Sequence, residues 1–229
     1  MKRQTKNSQY QSNLFGDTGP QSADGLFAYE RYWANQGYRV IAGTDEAGRG
    51  PLAGPVVAAA VILPEGIEIP FLNDSKQLTD RRRQLLFDEI QAKAIAYARS
   101  RIEPNDIDDM NIYQASRLAM MQALSGLRQP FDLVLSDAMP LPELTVPCVP
   151  IVHGDALSAS IAAASIIAKV TRDRIMQDYD SMYPEYGFRQ HKGYGTAAHV
   201  QAIQTFGPCA IHRRSFAPVK SWRSLTDEN

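Results

Sequence analysis

The most informative part of the sequence for the fold is a glycine-rich segment, Gly43-Thr44-Asp45-Glu46-Ala47-Gly48-Arg49-Gly50-Pro51-Leu52-Ala53-Gly54-Pro55. An apolar segment, Arg39–Asp45, leads into it, and a second apolar segment follows over Val56–Leu63. Both segments are short and apolar at the centre, which is typical of β-strands. Only about ten residues separate them, too few for the crossover helix that joins parallel strands. The stretch therefore predicts an antiparallel hairpin with an unusually elaborate connection.

Further along the chain, predicted strands and helices alternate. Periodicity and capping residues predict strands over Ala94–Ile102, Phe131–Ser136 and Val146–Val152, and helices from Thr79 to Lys93, from Asp109 or Asn111 to Gly126, and from Ala156 to Tyr183. Three strands that can form a meander, followed by strand–helix alternation, indicate a mixed sheet. The predicted fold class is therefore α/β, with an antiparallel start, then parallel strands, and helices packed on the sheet.

The composition is that of a soluble globular domain. The chain has 229 residues, of which 44% are hydrophobic and 21% charged, and its 24 basic and 25 acidic side chains give a net charge of -1. This length suits one domain with an appendage, and no global positive charge attracts the chain to a polyanion. The two cysteines, Cys148 and Cys209, lie far apart and do not indicate a disulfide framework. With no apolar run long enough to cross a membrane, the chain is expected to be cytoplasmic.

Three regions are expected along the chain. Residues 1–37 are predicted to be a polar mobile arm that ends in an aromatic segment, Leu26–Tyr38, which forms either a short amphipathic helix or a loosely held segment. Residues 38–205 are predicted to form the main domain. Residues 206–229 are predicted to form a basic C-terminal segment.

Four acids follow predicted strands: Asp45, Glu46, Asp137 and Asp155. Taken alone, Asp137 is a loop aspartate, and Asp155 is most simply a helix-start residue that bonds backbone N–H groups. Taken together, the four could converge at one end of the sheet. Two carboxylates about 4 Å apart repel by roughly 4 kcal/mol at an effective dielectric near 20, so four of them need protonation or a cation. Hard oxygen ligands without histidine or cysteine favour Mg²⁺ or Mn²⁺, and a two-metal cluster suits phosphodiester hydrolysis.

The glycine-rich connection has two other interpretations. A nucleotide P-loop is excluded, because G-x-x-x-x-G-K-[ST] is absent and a strand follows where the P-loop has a helix. A tight hairpin turn with solvated acids is the simplest structural alternative. One geometric difficulty remains for the metal site, because adjacent strand residues such as Asp45 and Glu46 point to opposite faces unless the strand bends or ends there. An irregularity at Ala47-Gly48 would remove that difficulty.

Five motifs, in order and spacing, resemble the ribonuclease HII family: Thr44-Asp45-Glu46-Ala47-Gly48-Arg49-Gly50-Pro51, Asn73-Asp74-Ser75-Lys76-Gln77-Leu78, Gly154-Asp155 running into Ser160–Asp173, His191-Lys192-Gly193-Tyr194-Gly195-Thr196, and His212-Arg213-Arg214-Ser215-Phe216. The match runs from about Val40 to Val219. The resemblance implies an RNase H-like fold and an endonuclease that cuts the RNA strand of RNA–DNA hybrids. It also implies incision on the 5′ side of ribonucleotides embedded in duplex DNA, leaving 3′-hydroxyl and 5′-phosphate ends.

The resemblance further implies a role for single residues. Asp45, Glu46, Asp137 and Asp155 would be the catalytic residues and would hold two Mg²⁺ or Mn²⁺ ions. Gly48, Arg49 and Gly50 would lie against the ribonucleotide, with backbone groups reading its 2′-hydroxyl, the group that distinguishes RNA from DNA. Tyr194 would stack on the next sugar and Lys76 would approach a phosphate. Without the resemblance, Tyr194 is a half-buried aromatic in a glycine-rich turn and Lys76 a solvated surface charge.

One position departs from the family pattern. Many members have Asp-Gly at the third acid, whereas here Ser136-Asp137-Ala138-Met139 places alanine after it. If that position requires a positive φ, Ala138 is strained and the role of Asp137 is weakened. The rivals of the nuclease interpretation are therefore a hybrid-binding protein without turnover and an RNase H-fold nuclease of other specificity.

Two further features bear on partners. Between Tyr186 and Arg223 there are six basic residues and no acid, interleaved with aromatics: Arg189, Lys192, Arg213, Arg214, Lys220 and Arg223. This run is either a nucleic-acid track or a solvated basic face. The four histidines, His153, His191, His199 and His212, are interpreted as structural or phosphate-contacting. The segment Gln11-Ser12-Asn13-Leu14-Phe15 resembles short peptides that dock on bacterial sliding clamps. The chain is expected to be a monomer without membrane contact.

Overall fold

The computed structural model describes residues 20, 25–70, 72 and 79–222. Within them a single sheet forms in the order β3-β2-β1-β4-β5, with β1 at Ile41–Ala47, β2 at Val56–Ile62, β3 at Ala96–Ile102, β4 at Leu133–Asp137 and β5 at Cys148–Ile151. The β1–β2 and β2–β3 pairs are antiparallel, whereas β4 is parallel to both β1 and β5. The predicted hairpin, the antiparallel start and the mixed sheet are therefore confirmed.

The helices, in chain order, are α1 (Ala28–Asn35), α2 (Asp80–Lys93), α3 (Pro104–Met110), α4 (Ile112–Ser125), α5 (Ala159–Met182), α6 (Phe188–His191) and α7 (Ala197–Phe206), with single 3₁₀ turns at Gly154–Ala156, Pro184–Tyr186 and Val219–Ser221. Helices α1 to α5 pack on the two faces of the sheet. The predicted caps of α2 and α4 are confirmed. Thr79 accepts a hydrogen bond from the Arg82 N–H, and the Asn111 side chain accepts from the N–H groups of Tyr113 and Gln114. The sequence prediction missed α3, which begins at Pro104, a favoured first-turn residue.

The long helix predicted from Ala156 begins later than expected. Gly154–Ala156 is a separate 3₁₀ turn, and α5 starts at Ala159 with Ser158 as its cap, since the Ser158 hydroxyl accepts a hydrogen bond from the Ile161 N–H. The interpretation of Asp155 as the residue that starts this helix is therefore wrong. Asp155 lies in the 3₁₀ turn between β5 and α5, before the helix begins.

Each face of the sheet carries its own apolar core. On one face, Ala59 and Val61 of β2 pack against α2 and the small-residue half of α5. On the other face, Ala58 and Ala60 pack against α3 and α4. The strand β2 is buried along its whole length because both faces are covered. A third cluster, formed by Leu52, Met176 and residues from 186 to 219, lies beside the sheet and holds the C-terminal segment against α5.

Close packing of α5 on β1 depends on one glycine. A Cβ atom at Gly43 would lie 2.2 Å from the backbone carbon of Ser160, a distance that no side chain tolerates. The missing side chain lets α5 pass directly over β1, which carries Asp45 two residues further on. The sequence thus brings the first turns of α5 next to the end of the strand that carries the acids.

The aromatic segment near the N-terminus forms the predicted short helix. Tyr29 of α1 packs with Leu133, Leu135 and Val149 of the parallel strands. Glu30 accepts hydrogen bonds from the Ser158 hydroxyl at 2.6 Å and from the Ser160 N–H at 3.0 Å, at the start of α5. The helix α1 is therefore attached to the start of α5, which follows the 3₁₀ turn that contains Asp155.

Several predictions fall outside this description. The segment Gln11–Phe15, the motif around Lys76 and Arg223 all lie outside the described residues. The division at residues 37 and 205, the monomeric state and the cytoplasmic location stay predictions. Across the described ranges, no helix combines the length and apolar character that a membrane span requires.

Candidate active site

The four predicted acids lie at one edge of the sheet, where two parallel strands separate. The strand β1 pairs with β4 only from Ile41 to Thr44, opposite Ser136. Asp45 and Glu46 continue β1 beyond that last pair, and Asp137 ends β4. Asp155 follows β5 in the 3₁₀ turn, where the Gly154 N–H donates to Asp137 Oδ1 at 2.7 Å. The gap between β1 and β4 thus opens at the acidic residues.

The geometric difficulty of Asp45 and Glu46 is resolved by this gap. Asp45 pairs with Ala59 and Glu46 with Ala58, and these two alanines belong to the cores on opposite faces of the sheet. The two acids therefore alternate as strand residues do. Because β4 does not pair with β1 after Thr44, carboxylates from both faces of the sheet can approach the gap between the two strands. The irregularity expected at Ala47-Gly48 does not interrupt β1, which stays regular through Ala47.

Burial is the main influence on the pKa values of Asp45 and Glu46, and repulsion between carboxylates adds to it. Asp45 is only 5% exposed, and burial, followed by repulsion from Glu46 and Asp137, raises its pKa well above the usual range. Hydrogen bonds from Ser165 and from the Glu46 N–H act in the opposite direction. Burial also raises the pKa of Glu46 to about 7, although Arg49 opposes the shift with an ion pair at 3.3 Å. Negative charge at this edge is therefore unfavourable until a cation arrives.

The donor set fits a hard divalent cation. Glu46 Oε2 is buried and has no hydrogen-bond partner in the described part of the protein, so one carboxylate oxygen is left for a ligand. The other predicted acids, Asp45, Asp137 and Asp155, are oxygen donors as well, which suits Mg²⁺ or Mn²⁺. Among the described residues, no three His, Cys, Asp or Glu side chains are placed so that they could hold a metal ion without moving. Binding would therefore require these carboxylates to move together around the ion.

A cleft of about 450 Å³ lies over the acids. Its lining combines Glu46 and Asp155 with the predicted recognition residues Gly48, Arg49, Gly50 and Tyr194. Asp45 and Asp137 lie beside this lining, where Asp137 repels the carboxylates of both Asp45 and Glu46. One site therefore brings together eight of the nine residues predicted from the sequence, and the ninth, Lys76, lies outside the described residues.

The cleft has further residues that the sequence prediction did not assign. Ser165, Lys169 and Arg172 of α5 line it, as does Arg83 of α2. The three α5 residues are spaced by four and three positions, so they lie on one face of the helix. That spacing is visible in the sequence and identifies the face of α5 turned to the cleft. Lys169, Arg172 and Arg83 bring positive charge to the cleft, and Lys169 also forms an ion pair with Asp173 at 2.7 Å.

The connection between β1 and β2 is shaped by two buried arginines. Gly48 adopts φ +102°, and a Cβ atom there would lie 2.1 Å from Arg172 Nε. Arg172 donates to the carbonyl oxygens of Ala53 and Pro55, and Arg213 donates to those of Gly48, Arg49 and Gly54. Burial lowers the pKa of Arg172 to about 10 and that of Arg213 to about 9, so both remain protonated at neutral pH.

This arrangement corrects the predicted basic track. Arg213 is fully buried and contacts the protein backbone, so it cannot belong to a surface that touches nucleic acid. Arg189 forms an ion pair with Asp180 at 3.3 Å. Arg214 and Lys220 are exposed and remain available to a partner. The track is therefore smaller than the sequence suggested.

Tyr194 is presented to the cleft by a buried histidine network. Its ring is 47% exposed, whereas its carbonyl oxygen lies 2.9 Å from His199 Nδ1. A carbonyl only accepts, so His199 Nδ1 donates, and His199 Nε2 accepts from His212 Nε2 at 3.0 Å. His212 Nδ1 in turn accepts from the Cys209 N–H at 3.0 Å. Burial lowers the pKa of His199 and His212 to about 4, so both are neutral and structural at pH 7.

Fold and site together define a hydrolase of the ribonuclease H class. A family model described as Ribonuclease HII matches residues 42–219. The chain belongs to the ribonuclease HII family. Membership makes the protein a ribonuclease and implies cleavage of RNA–DNA hybrids, as the sequence motifs predicted.

Relatives in sequence agree with this assignment. The chain is 54% identical over 191 residues to a Ribonuclease HII of Ruminiclostridium cellulolyticum, which covers 83% of this chain and 75% of the relative. It is also 54% identical over 197 residues to a Ribonuclease HII of Geotalea uraniireducens, covering 86% of this chain and 91% of the relative. The motifs therefore occur within a continuous similarity and are not isolated matches.

Solved structures share the fold. The ribonuclease H2 of Pyrococcus horikoshii superposes with a TM-score of 0.68 at 26% identity, covering 80% of this chain and 96% of that one. An RNase HII of Archaeoglobus fulgidus, solved in complex with PCNA, gives 0.67 at 23% identity, covering 82% and 99%. Bst-RNase HIII, solved in complex with Mn²⁺, gives 0.61 at 17% identity, covering 93% and 79%. The last two likenesses concern the fold alone.

Proposed function

We propose that the protein is a divalent-metal-dependent endonuclease that incises on the 5′ side of ribonucleotides embedded in duplex DNA, as well as cutting RNA–DNA hybrids. The observation that carries the proposal is the position of Asp45 and Glu46. Two buried carboxylates with raised pKa values lie beside a cleft whose other wall is Gly48, Gly50 and Tyr194. Groups for phosphodiester hydrolysis and groups for sugar recognition thus lie side by side.

The cofactor proposal rests on the donor set. Asp45, Glu46, Asp137 and Asp155 would hold Mg²⁺ or Mn²⁺, and the unpartnered Glu46 Oε2 would become a ligand. The Mn²⁺ complex of Bst-RNase HIII, which shares the fold, supports this choice. Two such ions supply activation of water and stabilisation of the departing oxygen, which would leave 3′-hydroxyl and 5′-phosphate ends.

The recognition groups have separate roles. Backbone groups of Gly48, Arg49 and Gly50 would bond the 2′-hydroxyl, and Tyr194, exposed over the cleft, would stack on the next sugar. A site built to bond a hydroxyl rejects the analogue without it, because its own polar groups are left unpaired. Lys169 of α5 would contribute positive charge for a phosphate, as proposed for Lys76.

One experiment tests nuclease function and substrate together. A DNA duplex with a single ribonucleotide is incubated with the full chain in Mg²⁺, in Mn²⁺, in EDTA, and with an Asp45→Asn variant in Mg²⁺. We expect incision on the 5′ side of the ribonucleotide that EDTA and the substitution abolish. Cleavage of a long hybrid without incision at the single ribonucleotide would establish a hybrid-only nuclease. Binding without cutting in either metal would mean that the site recognises its substrate without turnover.

A clamp interaction is proposed for the N-terminal arm. Gln11–Phe15 resembles a clamp-docking peptide, and a complex of PCNA with the RNase HII of Archaeoglobus fulgidus supports the idea that enzymes of this fold attach to such partners. Deleting residues 1–20 is expected to abolish binding to a bacterial sliding clamp in a pull-down of purified proteins. Clamp binding that survives the deletion contradicts this proposal and leaves the nuclease proposal untouched.

A further inference from the structure

Arg213 makes an unusual set of contacts for a buried cation. Its side chain is fully buried, and in the described part of the chain all its hydrogen-bond acceptors are backbone carbonyl oxygens. Nη2 donates to Gly48 at 2.6 Å and to Gly54 at 2.8 Å, Nη1 to Arg49 at 2.9 Å, and Nε to Gly54 at 3.0 Å. The guanidinium carbon Cζ lies 5.0 Å from the ring centre of Phe216. One side chain therefore fixes three carbonyls of the connection.

The planar peptide bond transmits this constraint to the cleft. In a trans peptide the C=O of one residue and the N–H of the next point in opposite directions. Because Arg213 holds the carbonyls of Gly48 and Arg49, the N–H groups of Arg49 and Gly50 must point away from it. Neither N–H has an acceptor among the residues that the structure describes, and both residues line the cleft. Two successive donors are thus left for a ligand oxygen.

Room for that ligand exists at Gly50. Among the described residues, a Cβ atom there would meet only a Tyr194 ring carbon, at an ordinary 3.7 Å. The protein's own packing does not require glycine at this position, in contrast to Gly48. The space beside the Gly50 N–H therefore lies on the open side of the cleft, between the connection and Tyr194.

The choice of arginine is costly in terms of stability. A buried cation without an ion-paired carboxylate loses hydration, which backbone carbonyls offset only in part. An apolar side chain could fill the same volume. Only a planar fork, however, donates to several carbonyls in a fixed geometry, which lysine with its single ammonium group does not reproduce.

We propose that Arg213 is a positioning residue that determines ribose specificity, because it orients the N–H groups of Arg49 and Gly50 toward the 2′-hydroxyl. The inference rests on the proposed role of Gly48–Gly50. It assigns to the C-terminal segment a function in reading the sugar, in place of the phosphate contact that its charge suggested. Arg213 does not touch the substrate and acts through the two peptide planes.

The test compares binding of two duplexes that differ only in one 2′-hydroxyl. The protein carries Asp45→Asn, which prevents turnover, and Mg²⁺ is present throughout. We expect the parent to bind the duplex with one ribonucleotide about tenfold more tightly than the all-DNA duplex, the size of one or two hydrogen bonds. Adding Arg213→Lys is expected to remove this preference while the affinity for the all-DNA duplex stays within about twofold.

A matched control separates positioning from general destabilisation. Met120→Ala empties a fully buried site in the core on α4, remote from the cleft, and lowers the melting temperature. We expect it to leave the ribose preference intact. If Arg213→Lys weakens both duplexes equally, or keeps the preference, the inference is wrong. If Arg213→Lys does not fold, Phe216→Leu, which removes the ring beside the guanidinium, is expected to reduce the preference in part, and an unchanged preference would overturn the inference.

Failure of the proposed function gives a different pattern. A parent protein without any ribose preference would refute both the reading of the 2′-hydroxyl and the role of Arg213. Cleavage of a long RNA–DNA hybrid by the protein without substitutions would still show the nuclease to be active. If the parent protein prefers the ribonucleotide duplex and only Arg213→Lys loses this preference, the loss is therefore due to Arg213.

Discussion

Two neighbouring regions of the same chain segment are built in opposite ways. At the end of β1, Asp45 and Glu46 are buried close to other acids, and a buried oxygen of Glu46 has no partner within the described structure. Three residues later, the carbonyls of Gly48 and Arg49 are held by a fully buried arginine. The acids repel one another and would be neutralised by the proposed cation, whereas the carbonyls of the connection are held by hydrogen bonds. Under the proposed function, the connection would be a preorganised recognition surface, and the acids would be a metal site that the cation completes.

Replacing Glu46 by glutamine should break the acidic region without harming the fold. We expect Mg²⁺-dependent cleavage of the single-ribonucleotide duplex to fall about a thousandfold, because a metal ligand and its charge are lost. The metal-free protein should be at least as stable as before at pH 8, since one of the repelling carboxylates is gone. Single-turnover cleavage and urea unfolding in EDTA measure the two effects.

The contrasting result for this variant is informative. If Glu46→Gln loses both activity and stability, the carboxylate is a structural partner of Arg49, with which it forms an ion pair at 3.3 Å, and its role as a metal ligand is refuted. Arg49→Gln serves as the control, because it removes that ion pair and leaves the carboxylate in place. We expect this control to unfold no more easily than a surface substitution.

The pH dependence of stability should report the same repulsion. In the folded protein the pKa of Glu46 is raised from 4.5 to about 7, so the folded state holds this proton more tightly than the unfolded chain. The resulting stabilisation is fully present below pH 4.5 and is lost as the pH rises through about 7. For Glu46 alone it amounts to about 3 kcal/mol at most.

This pH effect is measured by urea unfolding in EDTA between pH 5 and pH 8. We expect the free energy of unfolding to decrease over this range, and Glu46→Gln to flatten the decrease. Added Mg²⁺ should stabilise the protein more at pH 8 than at pH 5, since protons and the cation compete for the same oxygens. A stability that rises from pH 5 to pH 8 in EDTA would contradict the burial of these carboxylates.

Alanine substitutions of Gly48 and Gly50 test the connection between β1 and β2. Gly48→Ala should destabilise the protein, because φ is +102° and the new Cβ would lie 2.1 Å from Arg172 Nε. Gly50→Ala should leave the melting temperature unchanged, since within the described part of the chain its Cβ would make only an ordinary 3.7 Å contact. Its methyl group would instead occupy the space proposed for the ribose, and we expect kcat/KM on the single-ribonucleotide duplex to fall about tenfold.

Thermal unfolding and cleavage kinetics on the same preparations check this pair. Gly50→Ala is the decisive variant, because its predicted loss is in cleavage and not in stability. Unchanged kinetics would show that no part of the substrate approaches Gly50. A melting temperature lowered as much as in Gly48→Ala would show that the protein's own packing, and not the ligand, requires this glycine.

The sequence predicted what is local or periodic. Strand β2, the Thr79 cap and the antiparallel hairpin follow from patterns within a few residues, and the four acids were found because each follows an apolar strand. The residues that hold the connection in place from behind, such as Arg213, could not be predicted in this way. Arg213 was assigned to a surface track because charge indicates exposure, whereas its acceptors lie more than 150 residues away, at Gly48, Arg49 and Gly54.

Other differences have similar physical causes. The helix predicted from Ala156 starts at Ala159 because the Ser158 hydroxyl accepts a hydrogen bond from the Ile161 N–H and so caps the helix at that point. His199 and His212 could not be placed by spacing, since their hydrogen bond at 3.0 Å joins residues from separate segments. The alternation of Asp45 and Glu46 was foreseen as a difficulty, and its resolution depends on where β4 stops pairing with β1, which no local pattern encodes.

The smallest predicted effect concerns the residue after the third acid. Ala138 has φ +53°, which confirms that this position adopts the left-handed conformation that glycine favours. Ala138→Gly should relieve strain of about 1 kcal/mol, of which the greater freedom of glycine in the unfolded chain cancels a part. We expect a rise in melting temperature of about 2 °C at most, with cleavage unchanged, because Asp137 keeps its hydrogen bond from the Gly154 N–H at 2.7 Å. A gain in cleavage of about tenfold or more would instead mean that strain at Ala138 displaces the Asp137 carboxylate from its working position.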